Sequence, residues 1–135
     1  MTSQQTELVI RFNVEDETLS QLHADSFSSP FKLTPWAERL TRRSVSWVGA
    51  FSGDRLVGFV HAVWDGGAHA FLLDTVVHPD FQHRGIGTAI VKALANDAAA
   101  RGCHWLHVDY EPHLTFFYRE ACGFNHTEAG LLKLS

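Results

Sequence analysis

The sequence predicts a single α/β domain with a mixed, mostly antiparallel central sheet. Two turns, Ser52-Gly53-Asp54 and Asp65-Gly66-Gly67, separate three apolar runs, which indicates an antiparallel meander. The third run leads through a glycine turn into an amphipathic helix and then into another strand, so a β-α-β crossover with two parallel strands follows. With 135 residues and 15.1 kDa, the chain has room for one core and not for two, and residues 1–135 are predicted to form one domain.

The elements are predicted in chain order as follows. A first strand covers residues 8–12 and a first helix covers 16–27. Thr34 as N-cap and Pro35 at the first helical position start a second helix, which ends near Arg43. The meander strands cover 47–51, 56–64 and 68–77, the crossover helix covers 88–101, and the next strand covers 104–110. A last helix over 114–122 precedes two very short strands, 124–127 and 131–134, in a hairpin.

Composition excludes several classes of function. A net charge of −4 and an isoelectric point near 6.1 argue against nucleic-acid binding, which needs a basic face. No apolar segment near 18 residues and no secretory signal is present, and the two cysteines lack C-x-x-C spacing, which predicts a cytoplasmic protein without a membrane partner. The nine histidines show no metal-binding spacing, so no metal is predicted.

The segment Gln82-His83-Arg84-Gly85-Ile86-Gly87, followed by Thr88, is the most informative part of the chain. A strand that feeds a glycine turn and then a helix directs unpaired backbone N–H groups at an anion. The two glycines allow close backbone approach, the amides of residues 83–88 are the predicted donors, and the arginine adds charge. The spacing matches neither G-x-G-x-x-G nor a P-loop, so a different phosphate carrier is indicated.

The pattern Gln82-x-x-Gly85-x-Gly87 after a strand resembles the acyl-CoA pyrophosphate loop of the GCN5-related N-acetyltransferase (GNAT) family. The preceding segment 74–79 is similar to the fourth strand of that family. Phe117-Tyr118-x-x-x-x-Gly123-Phe124 is similar to its F-Y-x-x-x-G-F signature, with one additional residue before the glycine. The resemblance covers residues 47–135 well and 1–46 only in outline. It implies the GNAT fold with a β-α-β acyl-CoA-binding core, and acetyl-CoA as cosubstrate.

The resemblance also implies roles for individual residues. A bulge in strand four, with splaying from strand five, would let the main chain of Val76 and Val77 bond the pantetheine arm. Tyr118 would protonate the departing CoA thiolate. The alternative for all three is packing in the core, since apolar and aromatic side chains are more often structural.

The general base is less well defined. Asp74 is the first candidate because it is an acid in an otherwise apolar strand. The family glutamate upstream on strand four corresponds to Phe71, so its role does not carry over. Asp109 and Glu111, after strand five, are candidates to attract a cationic acceptor. The remaining candidates for the base are Asp109, Glu111, His78 and His107.

The resemblance implies an acetyl-CoA-dependent N-acetyltransferase. The acyl group would pass to a primary amine, on a small molecule or a peptide, by direct attack in a ternary complex, because neither cysteine has a nucleophile setting. The alternative is a non-catalytic acyl-CoA-binding sensor or interaction module on the same fold. The sequence is compatible with a monomer or a homodimer.

Overall fold

The computed structural model describes residues 5–135, so the first four residues of the predicted domain lie outside the described part. Five strands form one sheet whose spatial order follows the chain. They are β1 (Thr6–Ile10), β2 (Ser44–Ser52), β3 (Arg55–Trp64), β4 (His69–Val77) and β5 (Trp105–His107). Strands β1 to β4 pair antiparallel and β5 pairs parallel to β4, which confirms the predicted mixed, mostly antiparallel sheet.

Helices cover both faces of this sheet. They are α1 (Asp16–Phe27), α2 (Trp36–Arg43) and α3 (Ile86–Ala100), with 3₁₀ turns at Pro79–Phe81 and Pro112–Leu114 and a π-helical segment at Phe116–Ala121. On one face, Leu94 of α3 shares a buried cluster with Val60. On the other face, Leu19 of α1 and Trp36 of α2 share a second cluster with Phe59. Because both faces of β3 are covered, its sequence does not alternate between apolar and polar residues and is apolar from Leu56 to Trp64 except at His61.

Strand β4 contains a bulge. Phe59 pairs with Val76 and His61 pairs with Leu73, so two residues of β4, Asp74 and Thr75, stand opposite one residue of β3. Asp74 has a left-handed backbone with φ of +57°. Because side chains alternate along a strand, the extra residue reverses which face of the sheet each later side chain reaches.

Strand β5 is much shorter than the predicted strand over 104–110. Its ladder with β4 joins His69–Phe71 to Trp105–His107 and then stops. Beyond Phe71, no strand within residues 5–135 pairs with β4 on this side, so the carboxyl-terminal half of β4, including the bulge, has an open edge.

The carboxyl-terminal region also differs from the prediction. The last helix is π-helical, and residues 123–135 contain no strand, so the predicted hairpin of 124–127 and 131–134 is wrong. A two-stranded hairpin is marginal without a third strand, and Leu131 and Leu134 are at least 90% exposed. Within residues 5–135, no helix is long and apolar enough to cross a membrane.

Candidate active site

The glycine loop between β4 and α3 has a fixed, curled backbone. His83 and Gly85 both have a left-handed backbone, with φ of +63° and +80°. The Gln82 side-chain amide donates to the Val77 carbonyl at 3.1 Å, which ties the loop to the end of β4. Arg84 donates to the Asp80 carbonyl at 3.1 Å. The loop is therefore shaped before any ligand arrives.

The amino terminus of α3 carries unpaired donors. The Ala89 N–H donates to the Gly85 carbonyl at 3.1 Å as the first helical bond, so the N–H groups of residues 86–88 have no helical acceptor. No acidic residue lies in the first turn. The guanidinium groups of Arg84 and Arg55 lie over the Phe81 ring, 5.0 and 5.5 Å from its centre. Free amides, a helix dipole and two nearby cations together suit a diphosphate.

The two loop glycines serve different purposes. Gly85 caps the helix in a left-handed conformation, and a Cβ there would meet nothing within 4 Å. Gly87 has an ordinary backbone, but a Cβ there would lie 3.1 Å from the Phe117 ring. Gly85 is thus required by conformation, whereas Gly87 lets the aromatic segment pack on the start of α3.

A cavity of about 460 Å³ joins this loop to Tyr118. Its walls include Thr75 and Val77 from β4, the loop, and Phe117. Tyr118 is only 6% exposed and its ring stacks on Tyr110, with 5.0 Å between ring centres. Burial raises the pKa of the Tyr118 hydroxyl and the nearby Thr75 hydroxyl lowers it in part, although Thr75 makes no hydrogen bond of good geometry with residues 5–135. The net effect is a phenol that stays protonated to higher pH than usual.

Asp74, the other residue of the bulge, lies among histidines under α1. One carboxylate oxygen accepts a hydrogen bond from His61 Nε2 at 2.7 Å, and the other lies 3.4 Å from His23 Nε2. Burial alone would raise the pKa of Asp74, but the hydrogen bond and the charges of the two imidazoles outweigh it and hold the pKa below its usual range. The carboxylate is therefore ionised at neutral pH.

The sequence matches the model of the acetyltransferase (GNAT) family over residues 12–124. The chain belongs to the GNAT family. It is 30% identical over 111 residues to GCN5-related N-acetyltransferase 1, chloroplastic, of Arabidopsis thaliana, with 76% of this chain and 56% of that protein covered. It is 36% identical over 69 residues to the uncharacterized N-acetyltransferase ycf52 of Porphyra purpurea, with 51% and 40% covered. The chain thus spans about half the length of these relatives.

Solved structures show the same GNAT fold. Aminoglycoside N-acetyltransferase AAC(6')-Iy in complex with CoA superposes with a TM-score of 0.76 at 20% identity, covering 100% of this chain and 99% of that one. At this identity the likeness shows the fold that the two proteins share. The Arabidopsis relative is named chloroplastic, so the cytoplasmic location of this GNAT protein stays a prediction.

The other predicted acids and bases are dispersed around this GNAT fold. Asp109 and Glu111 are exposed and make no hydrogen bond or ion pair with Asp74, and Asp109 lines a separate cavity beside β5. His78, after β4, contacts Arg55 at 3.0 Å. His107 lies 2.7 Å from His69 in an exposed pair. Of the candidate acids and bases, Asp74 is therefore the one that lies in the bulge.

Sequence reasoning missed His61 and His23. The first is a polar residue within the apolar run of β3, and that signal is visible in the sequence. In the structure it is only 2% exposed, so it needs a polar partner. The second lies on α1 and nothing in its neighbours along the chain points to strand β4. Its contact with Asp74 depends on how α1 packs across the sheet.

The two cysteines of this GNAT protein are poorly suited to act as nucleophiles. Burial raises the pKa of both Cys103 and Cys122, which favours the thiol over the nucleophilic thiolate. Among residues 5–135, no cluster of three or more His, Cys, Asp or Glu side chains is arranged to hold a metal ion.

Proposed function

We propose that the protein is an acetyl-CoA-dependent N-acetyltransferase that acts on a primary amine by direct attack in a ternary complex. The observation that carries this proposal is the single cavity that connects the anion-binding loop to the buried Tyr118 beside the β4 bulge. The helix amino terminus, the open edge of β4 and the buried hydroxyl border one cavity, and this arrangement would suit a CoA thioester from its pyrophosphate to its sulfur.

The chain offers a separate group for each part of acetyl-CoA. The amides of residues 83–88, with Gln82 shaping the loop and Arg84 adding charge, would bind the pyrophosphate. The main chain of Val76 and Val77, at the open edge of β4, would bond the pantetheine arm. The cavity beside the loop and the absence of an acid from the first turn of α3, where one would repel phosphates, support this assignment.

The reaction balances with one acid and one base. A primary ammonium gives one proton to a base and attacks, the carbon–nitrogen bond forms and the carbon–sulfur bond breaks. Tyr118 protonates the leaving sulfur and regains a proton from the newly acylated nitrogen, so the products are an amide, CoA and one released proton. The raised pKa of Tyr118 keeps this donor protonated throughout the neutral range.

The acceptor is proposed to be a primary amine on a small molecule or peptide. A similar fold belongs to an enzyme whose name specifies an aminoglycoside, a polycationic substrate. Asp74 is proposed to act in removing the proton of the incoming ammonium. Asp109 and Glu111, exposed after β5, are proposed to attract such a cation at the surface, in which case Glu111→Gln raises the Michaelis constant of the amine more than it lowers turnover.

The test is CoA release from acetyl-CoA with polyamines, aminoglycosides, amino acids and peptide amino termini, beside neutral alcohols. We expect release with at least one class of amine and none with the alcohols. Calorimetry on the same preparation measures CoA binding. Binding without release from any amine would instead support the acyl-CoA sensor, and absence of binding to the folded protein would contradict both functions.

A further inference from the structure

Four polar side chains from four different elements form a chain across the face of the sheet that α1 and α2 cover. Ser44 Oγ lies 2.9 Å from His61 Nδ1, His61 Nε2 lies 2.7 Å from Asp74, and Asp74 lies 3.4 Å from His23 Nε2. The exposed fraction rises along it, from 3% for the His61 side chain to 31% for Asp74 and 34% for His23. This series of polar contacts thus runs from the core to the surface and ends on an accessible imidazole.

Hydrogen-bond capacity assigns the proton positions in this chain. Asp74 is ionised and can only accept, so His61 and His23 both direct an Nε2–H at it. With Nε2–H directed at Asp74, His61 Nδ1 is the ring atom placed to accept from the Ser44 hydroxyl, which fixes the orientation of the ring. His23 Nδ1 has no hydrogen-bond partner among residues 5–135. His23 Nδ1 is therefore the nitrogen of this series whose lone pair is available to accept a proton.

We infer that His23 is the general base of the proposed acetyl transfer and that Asp74, His61 and Ser44 are positioning residues that orient it. The inference rests on the proposed function. His23 Nδ1 takes the first proton of the ammonium, Asp74 stabilises the resulting imidazolium, and the partly exposed ring releases the proton to water. Asp74 alone is a weak base, because its pKa is held low.

The position of His23 relative to Tyr118 supports this role. Asp74 and Thr75 are adjacent in the bulge, yet Asp74 contacts His23 on the α1 side whereas Thr75 lines the cavity of Tyr118. The base and the acid therefore lie on opposite sides of the same widened stretch of β4, where a thioester would meet an amine. Phe27 and Trp36 hold the His23 ring, with 4.7 and 5.6 Å between ring centres.

Charged and titratable groups lie near this imidazole on three elements that pack against α1. Asp74 on β4 is the nearest, His61 on β3 lies behind it, and Arg39 on α2 lies across the Trp36 ring, 5.3 Å from its centre. Of these groups, the Asp74 carboxylate is the one in direct contact with the imidazole.

The experiment compares two nucleophiles in the parent, His23→Gln and Asp74→Asn. One is a primary alkylamine that the parent accepts, and the other is the matching alkoxyamine, whose nitrogen is already in the neutral NH2 form at neutral pH. For His23→Gln we expect kcat/KM at pH 7 to fall by about 10²- to 10⁴-fold with the alkylamine, to recover as the pH rises, and to fall less than about tenfold with the alkoxyamine. Acetyl-CoA affinity should be unchanged.

Asp74→Asn and a control separate catalysis from structure. In Asp74→Asn the acidic limb of the pH profile should move to lower pH, because the imidazolium loses its carboxylate. His104→Gln, at an exposed position at the far end of the sheet, should behave as the parent. Equal losses of His23→Gln with both nucleophiles, or an unaltered pH profile, would overturn the base role alone. A parent that acetylates no amine would overturn the proposed function and the base role with it.

Discussion

Tyr118 owes its proposed chemistry to two properties that rarely occur together in one side chain. It is almost fully buried among Tyr110, Phe117 and Phe124, and it nevertheless borders the cavity that leads to the glycine loop. Burial raises the pKa of the hydroxyl, so the phenol stays protonated and can donate its proton to a sulfur that develops negative charge in the same cavity.

Replacing Tyr118 by Phe removes only the hydroxyl group that carries this proton. We expect turnover to fall by about 10²- to 10⁴-fold with little change in acetyl-CoA affinity, because the ring packing is kept. Single-turnover rates with an accepted amine and calorimetry with CoA measure the two quantities. Tyr110→Phe is the matched control, since that ring packs against Tyr118 but its hydroxyl accepts a hydrogen bond from Arg119. Equal rates in Tyr118→Phe and the parent would leave the residue a packing role only.

Single residues were predictable from the sequence where the reason is local. Gly85 is required by a left-handed helix cap, and Asp74 is an acid in an apolar strand, so both are visible in the sequence. The partners of Asp74 were not predictable. They come from β3 and α1, 13 and 51 residues away along the chain, and only the packing of α1 across the sheet brings them together.

At the scale of elements, the π-helical segment explains the departure from the F-Y-x-x-x-G-F spacing. The Cys122 N–H donates to the Phe117 carbonyl, five residues earlier, at 2.9 Å, where an α-helix would use a carbonyl four residues earlier. One inserted residue in a helix produces this pattern. The widened turn thus accommodates the additional residue while Tyr118 still reaches the cavity.

Deleting the exposed Glu120 should convert this segment to an ordinary α-helical turn. We expect the free energy of unfolding to change by no more than about 1 kcal/mol, the size of a typical point substitution, with CoA binding retained. Deleting the exposed Lys92 in α3 is the control, because it rotates the following residues by roughly 100° and moves Leu94 out of the core. Chemical denaturation measures both. A Glu120 deletion as damaging as the Lys92 deletion would show that the wide turn is itself required.

The glycine loop allows a second comparison between matched positions. Gly85 and Gly53 both have positive φ, and a Cβ at either would meet nothing within 4 Å. Alanine at each should therefore cost about 1 kcal/mol of stability for the left-handed backbone. Only Gly85→Ala, in the anion loop, should also weaken CoA binding, as measured by calorimetry. If Gly53→Ala, in the β2–β3 turn, weakened binding equally, the effect would reflect general destabilisation rather than loop geometry.

At the scale of the whole molecule, the sheet separates the two proposed routes by which the cosubstrate and the amine would reach the β4 bulge. The cavity for the cosubstrate lies against α3, whereas the polar chain ending on His23 lies under α1. The two faces meet at the β4 bulge, which lies beyond the end of the β4–β5 ladder. The sequence predicted the sheet and the crossover because their hydrophobic patterns are local, but the early end of β5 depends on which strands pair across the fold.

Because the proposed routes of the cosubstrate and the amine are separate, we expect both substrates to be bound to the protein together before any bond changes. Double-reciprocal plots of velocity against amine concentration, at several acetyl-CoA concentrations, should therefore intersect rather than run parallel. CoA should compete with acetyl-CoA for the loop and should not compete with the amine, whose proposed route lies on the α1 side. CoA alone, at about 100 times its dissociation constant, should stabilise the fold by about 2.7 kcal/mol. Parallel plots would indicate an acyl-enzyme intermediate, and competition between CoA and the amine would place both substrates on the same face of the sheet.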